Sequence, residues 1–437
     1  VMADKKNIFL KKKILIYGLG KSGISVFKFL KKKNQIFLYD DKKINNPDLE
    51  IKKNLVTFNK LIKEKIDYII ISPGINIEKC KLRSFLRRNL KKINTDLDIF
   101  FSTYSKNKNI TITGTNGKST TAKILYEVLK EKKLDVRLVG NIGNPILLEK
   151  KVTNRTIFVI EASSYQLEYS KIFKSNISAI LNISPDHLER HKTIKNYINA
   201  KFKLVKNQTR EDYAFLNTKN FFIKQQLKRN FFLPKIIKID KNINPLILSK
   251  VNNPYFMTEG NKENLTFIIK ISKILNIKKK ILFKVLKRFK GLNYRQQIIF
   301  KSKNLTIIND SKATSFSSSE SILKSLSNVN WIVGGLPKKS DQFLLSQEQC
   351  KNFKVYIFGD YKSFFEKKLK NVMKYESFSN LKILMKKIFF DLKKNKSQDH
   401  QTILFSPAAA SFDSFKNFEE RGEYFNKLIK NFSNVKY

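Results

Sequence analysis

At 437 residues, 41% of them apolar, the chain exceeds what one ordinary core organises, and two or three domains are expected. Its 87 Lys and Arg against 36 Asp and Glu leave a formal net charge of +51, but the lysines spread along the whole chain and no aromatic-interleaved basic motif occurs, so a nucleic-acid partner is not expected. Two distant cysteines, Cys80 and Cys350, exclude a disulfide framework and a cysteine zinc site, and no uncharged run approaches the roughly 20 residues of a membrane span, so a cytoplasmic protein with no membrane partner is expected.

The first hundred residues alternate the short apolar runs "KILIYGLG", "QIFLYDD", "LVTFNK" and "IDYIIISPGI" with Lys-rich helical stretches, which predicts a parallel α/β unit. "ILIYGLG" follows a lysine cluster, yet its glycines read as a strand and turn rather than a signal segment. "YGLGKSG" sets Gly18, Gly20 and Gly23 at dinucleotide-fold spacing, with Asp40 at the end of the next strand. Alone this favours a nicotinamide or flavin oxidoreductase. A UDP moiety offers the same diphosphate and ribose groups, so the turn does not decide between them.

"ITITGTNGKSTTAKIL", Ile110 to Leu125, then reads as strand, glycine turn and helix. Gly114 and Gly117 let backbone N–H groups converge on an anion at the helix N-terminus; Lys118 supplies a charge for the outer phosphates and Ser119 or Thr120 a hydroxyl for Mg²⁺. The loop Gly114, Thr115, Asn116, Gly117, Lys118, Ser119 and Thr120 is therefore expected to bind ATP. "VIEASSYQLE" ends a strand at Glu161, and "ISPDHLERH" places Asp186, His187 and His191 past another; these are two of only three histidines. Carboxyl ends of neighbouring parallel strands share one crevice, so Glu161 and His187 are expected beside the loop as Mg²⁺ ligands with Ser119, an imidazole being unusual for a hard cation. Lys201, in the helical "YINAKFKL", is by composition alone one solvated lysine among many. A helix-rich region runs to "VLKRFKGLNYR", and a third alternation follows with strands "LTIINDSKAT", "VNWIVGGLP", "KVYIFGD" and "TILFSPAAASFD". These restarts divide the chain into 1–98, 99–291 and 292–437.

"GTNGKST", "EASSYQLE", "NISPDHLERH" and "YINAK", in this order, resemble the ATP-dependent Mur ligases and the related folylpolyglutamate synthases. The first glycine cluster with "SPGI", then "GLNYR", "NDSKATS" and "SPAAASFDSFKNFEERG" (Ser406 to Gly422), look like the D-glutamate-adding branch, and the match runs from about Ile14 to Phe425. The resemblance implies an α/β fold of three domains: a Rossmann-like UDP-binding domain (1–98), a central P-loop ATPase-type parallel sheet (99–291), and a Rossmann-like amino-acid-binding domain (292–437). It implies that the carboxylate of UDP-MurNAc-L-alanine attacks the γ-phosphate of ATP, and that the amine of D-glutamate displaces phosphate from the acyl phosphate, in a monomer of cytoplasmic peptidoglycan precursor synthesis.

The resemblance also implies roles for residues. Lys118, Glu161, His187 and Lys201 are catalytic. Ser119, Glu161, His187 and a carbamylated Lys201 hold two Mg²⁺ ions. Asn261, Arg295 and Asp310 join the loop in contacting ATP. Lys21, Ser22, Asp40, Asp41, Lys42 and Gly74 line the uridine and diphosphate site, and Asn141, Ser163 and Gln166 contact the muramoyl-alanine part. Thr314, Lys338, Ser411 and Phe418 hold D-glutamate. The chain departs from the family pattern at Gly260, where a histidine usually precedes the asparagine, and in "GGLPK", where an acid often stands at the position of Leu336. A sibling ligase, adding another amino acid or extending folate, is disfavoured by the C-terminal segment, where siblings diverge.

Overall fold

Runs such as "VYIF" and "YIII" are continuously apolar because parallel strands covered by helices on both faces have no solvent side. The computed structural model describes residues 7–44, 47–240, 243–338, 341–394 and 399–433. In it these runs build three sheets.

The first holds β1 (Lys13–Tyr17), β2 (Gln35–Tyr39), β3 (Tyr68–Ile71) and β4 (Ile93–Asn94), all parallel, in the order β2-β1-β3-β4. The helix Lys21–Leu30 after β1 buries Val26, Phe27 and Leu30 with Ile14 and Ile16. "LVTFNK" is not the expected strand. Leu55 makes a single bridge to Leu38, and the short helix Phe58–Leu61 follows at once, capped by Thr57, whose Oγ1 accepts the Lys60 N–H. The N-cap residue wins over the β-branched composition.

The second sheet contains β5 (Asn109–Thr113), β6 (Val136–Gly140), β7 (Ile157–Glu161), β8 (Ile177–Ile180), β9 (Tyr213–Asn217) and β10 (Lys235–Ile239). All are parallel, in the order β10-β9-β8-β5-β7-β6. β5 is buried at every position. β9 and β10 lie where the sequence predicts mainly helix; β10, "KIIKI", is an edge strand guarded by exposed lysines.

The third sheet has β11 (Gln297–Lys301), β12 (Leu305–Asn309), β13 (Val329–Gly334), β14 (Phe353–Phe358), β15 (Lys374–Phe378) and β16 (Gln401–Phe405), in the order β11-β12-β16-β13-β14-β15. Only β11 runs antiparallel, against β12. Trp331, the single tryptophan of the chain, is fully buried here; its Nε1 donates to the Ser406 carbonyl at 2.7 Å and its ring stacks on Phe343 at 5.4 Å.

The chain forms two compact units, Val1–Lys241 with Thr266–Val285, and Asn242–Leu265 with Leu286–Tyr437. The first two sheets share the first unit. Residue 98, the expected first division, stands inside the helix Asp96–Thr103. Its buried Asp98 accepts from Thr95 N, Ser170 Oγ and the backbone N–H groups of Lys171, Ile172 and Phe173, tying that helix to the central segment. Among the described residues no helix is long and apolar enough to cross a membrane.

Candidate active site

In the first unit, β8, β5 and β7 are neighbours and parallel, so the segments that leave their carboxyl ends lie side by side. β5 leads into the glycine turn. Gly117, at φ +82°, is the residue before the helix Lys118–Glu131, which carries no side-chain cap at this end, leaving its first N–H groups for an anion. The turn is held from β8: Asn182 accepts from Thr115 N through its carbonyl (2.9 Å) and from Asn116 N through Oδ1 (2.8 Å). Thr115 Oγ1 lies 3.1 Å from the Tyr197 hydroxyl. Lys118 Nζ folds back on its own loop, donating to the carbonyls of Gly114 (3.0 Å) and Thr115 (2.7 Å). Ser119 and Thr120 are buried beneath it.

Glu161 ends β7 and is 1% exposed. Its Oε1 accepts from Asn141 Nδ2 at 3.0 Å, while Oε2 is buried without a hydrogen-bond partner. A buried carboxylate oxygen lacking a donor suits a cation ligand. Lys201, on the helix Ile194–Lys206, is not the solvated lysine that composition favours. It is 1% exposed, its Nζ donates to the Gly114 carbonyl at 2.8 Å, and it lies 4.5 Å from the Tyr197 ring centroid. Burial, with the Lys118 ammonium adding to it, pushes this amine well below the ordinary lysine range against the pull of Asp186 and Glu161.

His187 takes a left-handed conformation, φ +55°, before the short helix Leu188–His191. Its Nε2 is 3.4 Å from Asp186 Oδ2, its Nδ1 3.7 Å from Glu189 Oε1, and its ring 4.9 Å from Tyr165. His191 is a buried neutral histidine instead: Nε2 pairs with Ser164 Oγ at 3.0 Å, and burial together with Arg190 pulls its pKa down to about 4. Among the described residues no three His, Cys, Asp or Glu side chains cluster to hold a metal. The expected ligand set draws only Glu161 and His187 from those types, completing itself with a hydroxyl and a modified lysine. The orphaned Glu161 oxygen, the buried Ser119 and the buried Lys201 amine fit that set.

The uridine-site candidates gather at the carboxyl ends of β2, β1 and β3. Asp40, expected on a ribose or base edge, accepts from Leu19 N (2.6 Å) and Lys42 N (2.9 Å), so it also fastens the glycine turn to the following loop. Asp41 accepts from the Tyr17 hydroxyl and Lys81 N. Lys21 and Gly74 are exposed and Ser22 half-buried. Ser163 and Gln166 form a capping box on the helix Ser164–Tyr169, and Gln166 Nε2 reaches the buried Asp96, whose pKa burial raises to about 6. Asn182, Tyr197 and Asp96 escaped the sequence reading, since nothing marks a strand-end amide or a helix tyrosine as loop support.

The remaining candidates belong to the second unit. Thr314, Lys338 and Ser411 stand on the loops after β12, β13 and β16, which are adjacent parallel strands in the order β12-β16-β13. Leu336 and Ala410 exchange backbone hydrogen bonds at 2.9 and 3.0 Å, so position 336, where the family often has an acid, is held through its backbone. Phe418 opens the helix Phe418–Ser433, with Lys312 Nζ 4.1 Å from its ring centroid and the Arg295 guanidinium 5.8 Å away. Asp310, at the end of β12, is buried and accepts from Ser406 Oγ (2.9 Å) and Gln296 N (3.1 Å); burial raises its pKa to about 7. Asn261 donates to the Tyr255 carbonyl and to Gln296 Oε1.

A phosphate-type loop, a buried carboxylate beside it and three largely parallel sheets define a nucleotide-using α/β enzyme. The Mur ligase middle domain matches residues 112–262, and the Mur ligase MurD-like N-terminal domain matches residues 12–94. Curated relatives named UDP-N-acetylmuramoylalanine--D-glutamate ligase include that of Rickettsia felis, 34% identical over 97% of this chain and 98% of its own. That of Oenococcus oeni is 31% identical over 98% and 99%. Among solved structures, the MurF ligase of Thermotoga maritima in complex with ADP superposes with TM-score 0.55 at 15% identity, covering 99% of this chain and 97% of its own. The UDP-N-acetylmuramate-alanine ligase MurC of the same organism gives 0.54 at 15%, covering 97% and 100%. The chain belongs to the Mur ligase family, the ATP-dependent amide ligases of peptidoglycan precursor synthesis.

Proposed function

We propose that this chain joins D-glutamate to UDP-N-acetylmuramoyl-L-alanine with cleavage of ATP to ADP and phosphate, acting as a cytoplasmic monomer of three domains divided as 1–98, 99–291 and 292–437. The observation that carries the chemistry is the buried Lys201 amine at the Gly114 carbonyl, with the unpartnered Glu161 oxygen at a neighbouring strand end. A neutral amine is the form that captures CO₂, and the resulting carbamate is a long carboxylate suited to Mg²⁺. Ser119, Glu161, His187 and carbamylated Lys201 would hold two Mg²⁺ ions, which when bound neutralise charge on the phosphate oxygens. Lys118 exchanges its two loop carbonyls for the transferring phosphoryl group. The substrate carboxylate forms a bond to the γ-phosphorus as ADP leaves. The D-glutamate amine then adds to the acyl carbon, loses a proton, and expels phosphate.

The choice of amino acid is supported by the names of the curated relatives and by the segment Ser406 to Gly422. Thr314, Lys338, Ser411 and Phe418 are assigned to the dicarboxylate, Asn261, Arg295 and Asp310 to ATP, and Lys21, Ser22, Asp40, Asp41, Lys42, Gly74, Asn141, Ser163 and Gln166 to the UDP substrate. Phosphate release by the purified protein with ATP, Mg²⁺ and UDP-MurNAc-L-alanine, over a panel of amino acids including both glutamate enantiomers, tests the proposal. Release confined to D-glutamate is expected. Release with another amino acid overturns the specificity, and no release with any overturns the ligase assignment.

A further inference from the structure

We infer that Arg421 is a positioning residue for the amino-acid substrate, fixing the loops on which the proposed D-glutamate contacts stand; this rests on the D-glutamate reading above. Arg421 is fully buried, and among the described residues it makes no ion pair with a carboxylate. Asp413 and Asp310 act on its charge without contacting it, and its hydrogen bonds go to neutral acceptors. Nε donates to Ser311 Oγ (3.1 Å) and Nη2 to the Ser311 carbonyl (2.7 Å), while Nη2 also reaches the Ala409 carbonyl (2.9 Å) and Nη1 the Ala410 carbonyl (3.2 Å).

Those acceptors belong to two of the three loops that carry the candidates. Ser311 precedes Thr314 after β12, and Ala409 and Ala410 precede Ser411 after β16. The third loop is pressed against the same group. A Cβ on Gly335 would come within 2.9 Å of Arg421 Nη1 and 2.5 Å of the Ala410 carbonyl, so the approach to Lys338 depends on the guanidinium plane. Phe418, one helical turn before Arg421, is fastened to the same point because Ser311 Oγ donates to its carbonyl at 2.8 Å. One planar fork with five donors thus indexes all four candidate contacts. An ammonium has the charge but not the geometry to span these acceptors.

A buried cation hydrogen-bonded only to neutral acceptors is a costly way to obtain stability, whereas removing it leaves Ser311 Oγ and the Ser311 and Ala409 carbonyls without this donor, the Ala410 carbonyl with Leu336 N alone, and three loops without a common reference. The expected signature is therefore a divided one. In Arg421→Lys, the KM for D-glutamate should rise by roughly 10- to 100-fold, while the KM for UDP-MurNAc-L-alanine stays within about twofold. Acyl-phosphate formation without amino acid, read by borohydride trapping, should persist. In Arg421→Ala, free guanidinium should restore part of the D-glutamate kcat/KM and methylammonium should not. A uniform rise in both KM values, or no rise for D-glutamate, overturns the inference, as does equal rescue by the two cations. Wild-type turnover indifferent to D-glutamate overturns the D-glutamate reading itself, and is seen before any variant is made.

Discussion

Gly140 gives the sharpest test of how Glu161 is held. It ends β6 in register with Glu161 on β7, at φ +105°, and a Cβ built on it would meet the Glu161 carbonyl oxygen at 2.3 Å. That φ costs an L-residue about 1–3 kcal/mol. The contact is with backbone that already accepts the Asn141 N–H at 3.0 Å, so relief requires a shift of strand rather than a side-chain rotation. Together the two terms predict that Gly140→Ala lowers unfolding free energy by about 3 kcal/mol or more, a large share of the 5–15 kcal/mol typical of a domain. Gly74→Ala is the control, because a Cβ there meets nothing within 4 Å and φ is not positive. Denaturant unfolding of both variants beside the wild type reads the difference, and Mg²⁺-dependent nucleotide binding should weaken in Gly140→Ala alone. Two alanine variants within about 0.5 kcal/mol of wild type would refute the reasoning.

Lys118→Ala and Lys201→Ala should each abolish phosphate release while far-UV circular dichroism stays that of the wild type, and short carboxylic acids should partly rescue only Lys201→Ala, by replacing the carbamate; substantial turnover in a folded variant sinks that residue's role. Asp310 predicts a pH effect of definite sign. Burial raises its pKa from 3.8 to about 7 against the pull of Ser406, Gln296, Arg295 and Arg421, so its protonated form is favoured in the folded state. Its contribution is complete below about pH 4 and is lost as pH rises through about 7, at up to about 1.4 kcal/mol per pH unit. Asp310→Asn should flatten that decline in urea titrations across the window; an unchanged slope contradicts the assignment.

The placement of the glycine loop and of the strand-end glutamate was legible because such chemistry needs rare residue types at fixed spacing. Glycines, Lys118 and a hydroxyl between strand and helix admit few other uses, and the glutamate ending β7 follows an unmistakably apolar run. Strands failed where local signals conflicted: "LVTFNK" carries an N-cap threonine inside a β-type run, while β10 and β15 mix lysine or glutamate with apolar residues as edges do. Structural duties went unread where one residue serves two ends. Gln166 and Asp40 read as substrate contacts, and in the fold each also accepts backbone N–H groups that shape its own loop. Arg421 was invisible for a compositional reason. Among 87 Lys and Arg, nothing in "EERG" distinguishes a fully buried guanidinium from a solvated one.

The lone indole of Trp331 gives the molecule a built-in optical probe with a single address. Sealed in the third sheet, hydrogen-bonded through Nε1 and stacked on Phe343, it should emit at the blue end of the tryptophan range until that sheet opens. No other tryptophan contributes, so the red shift on unfolding records the second unit alone, while far-UV circular dichroism records both. Non-coincident transitions in the two signals would therefore time the loss of the second unit against that of the first without any label. The Ser406 carbonyl that receives the indole N–H belongs to the loop leading to Ser411, so the same emission is placed to register rearrangement of that loop.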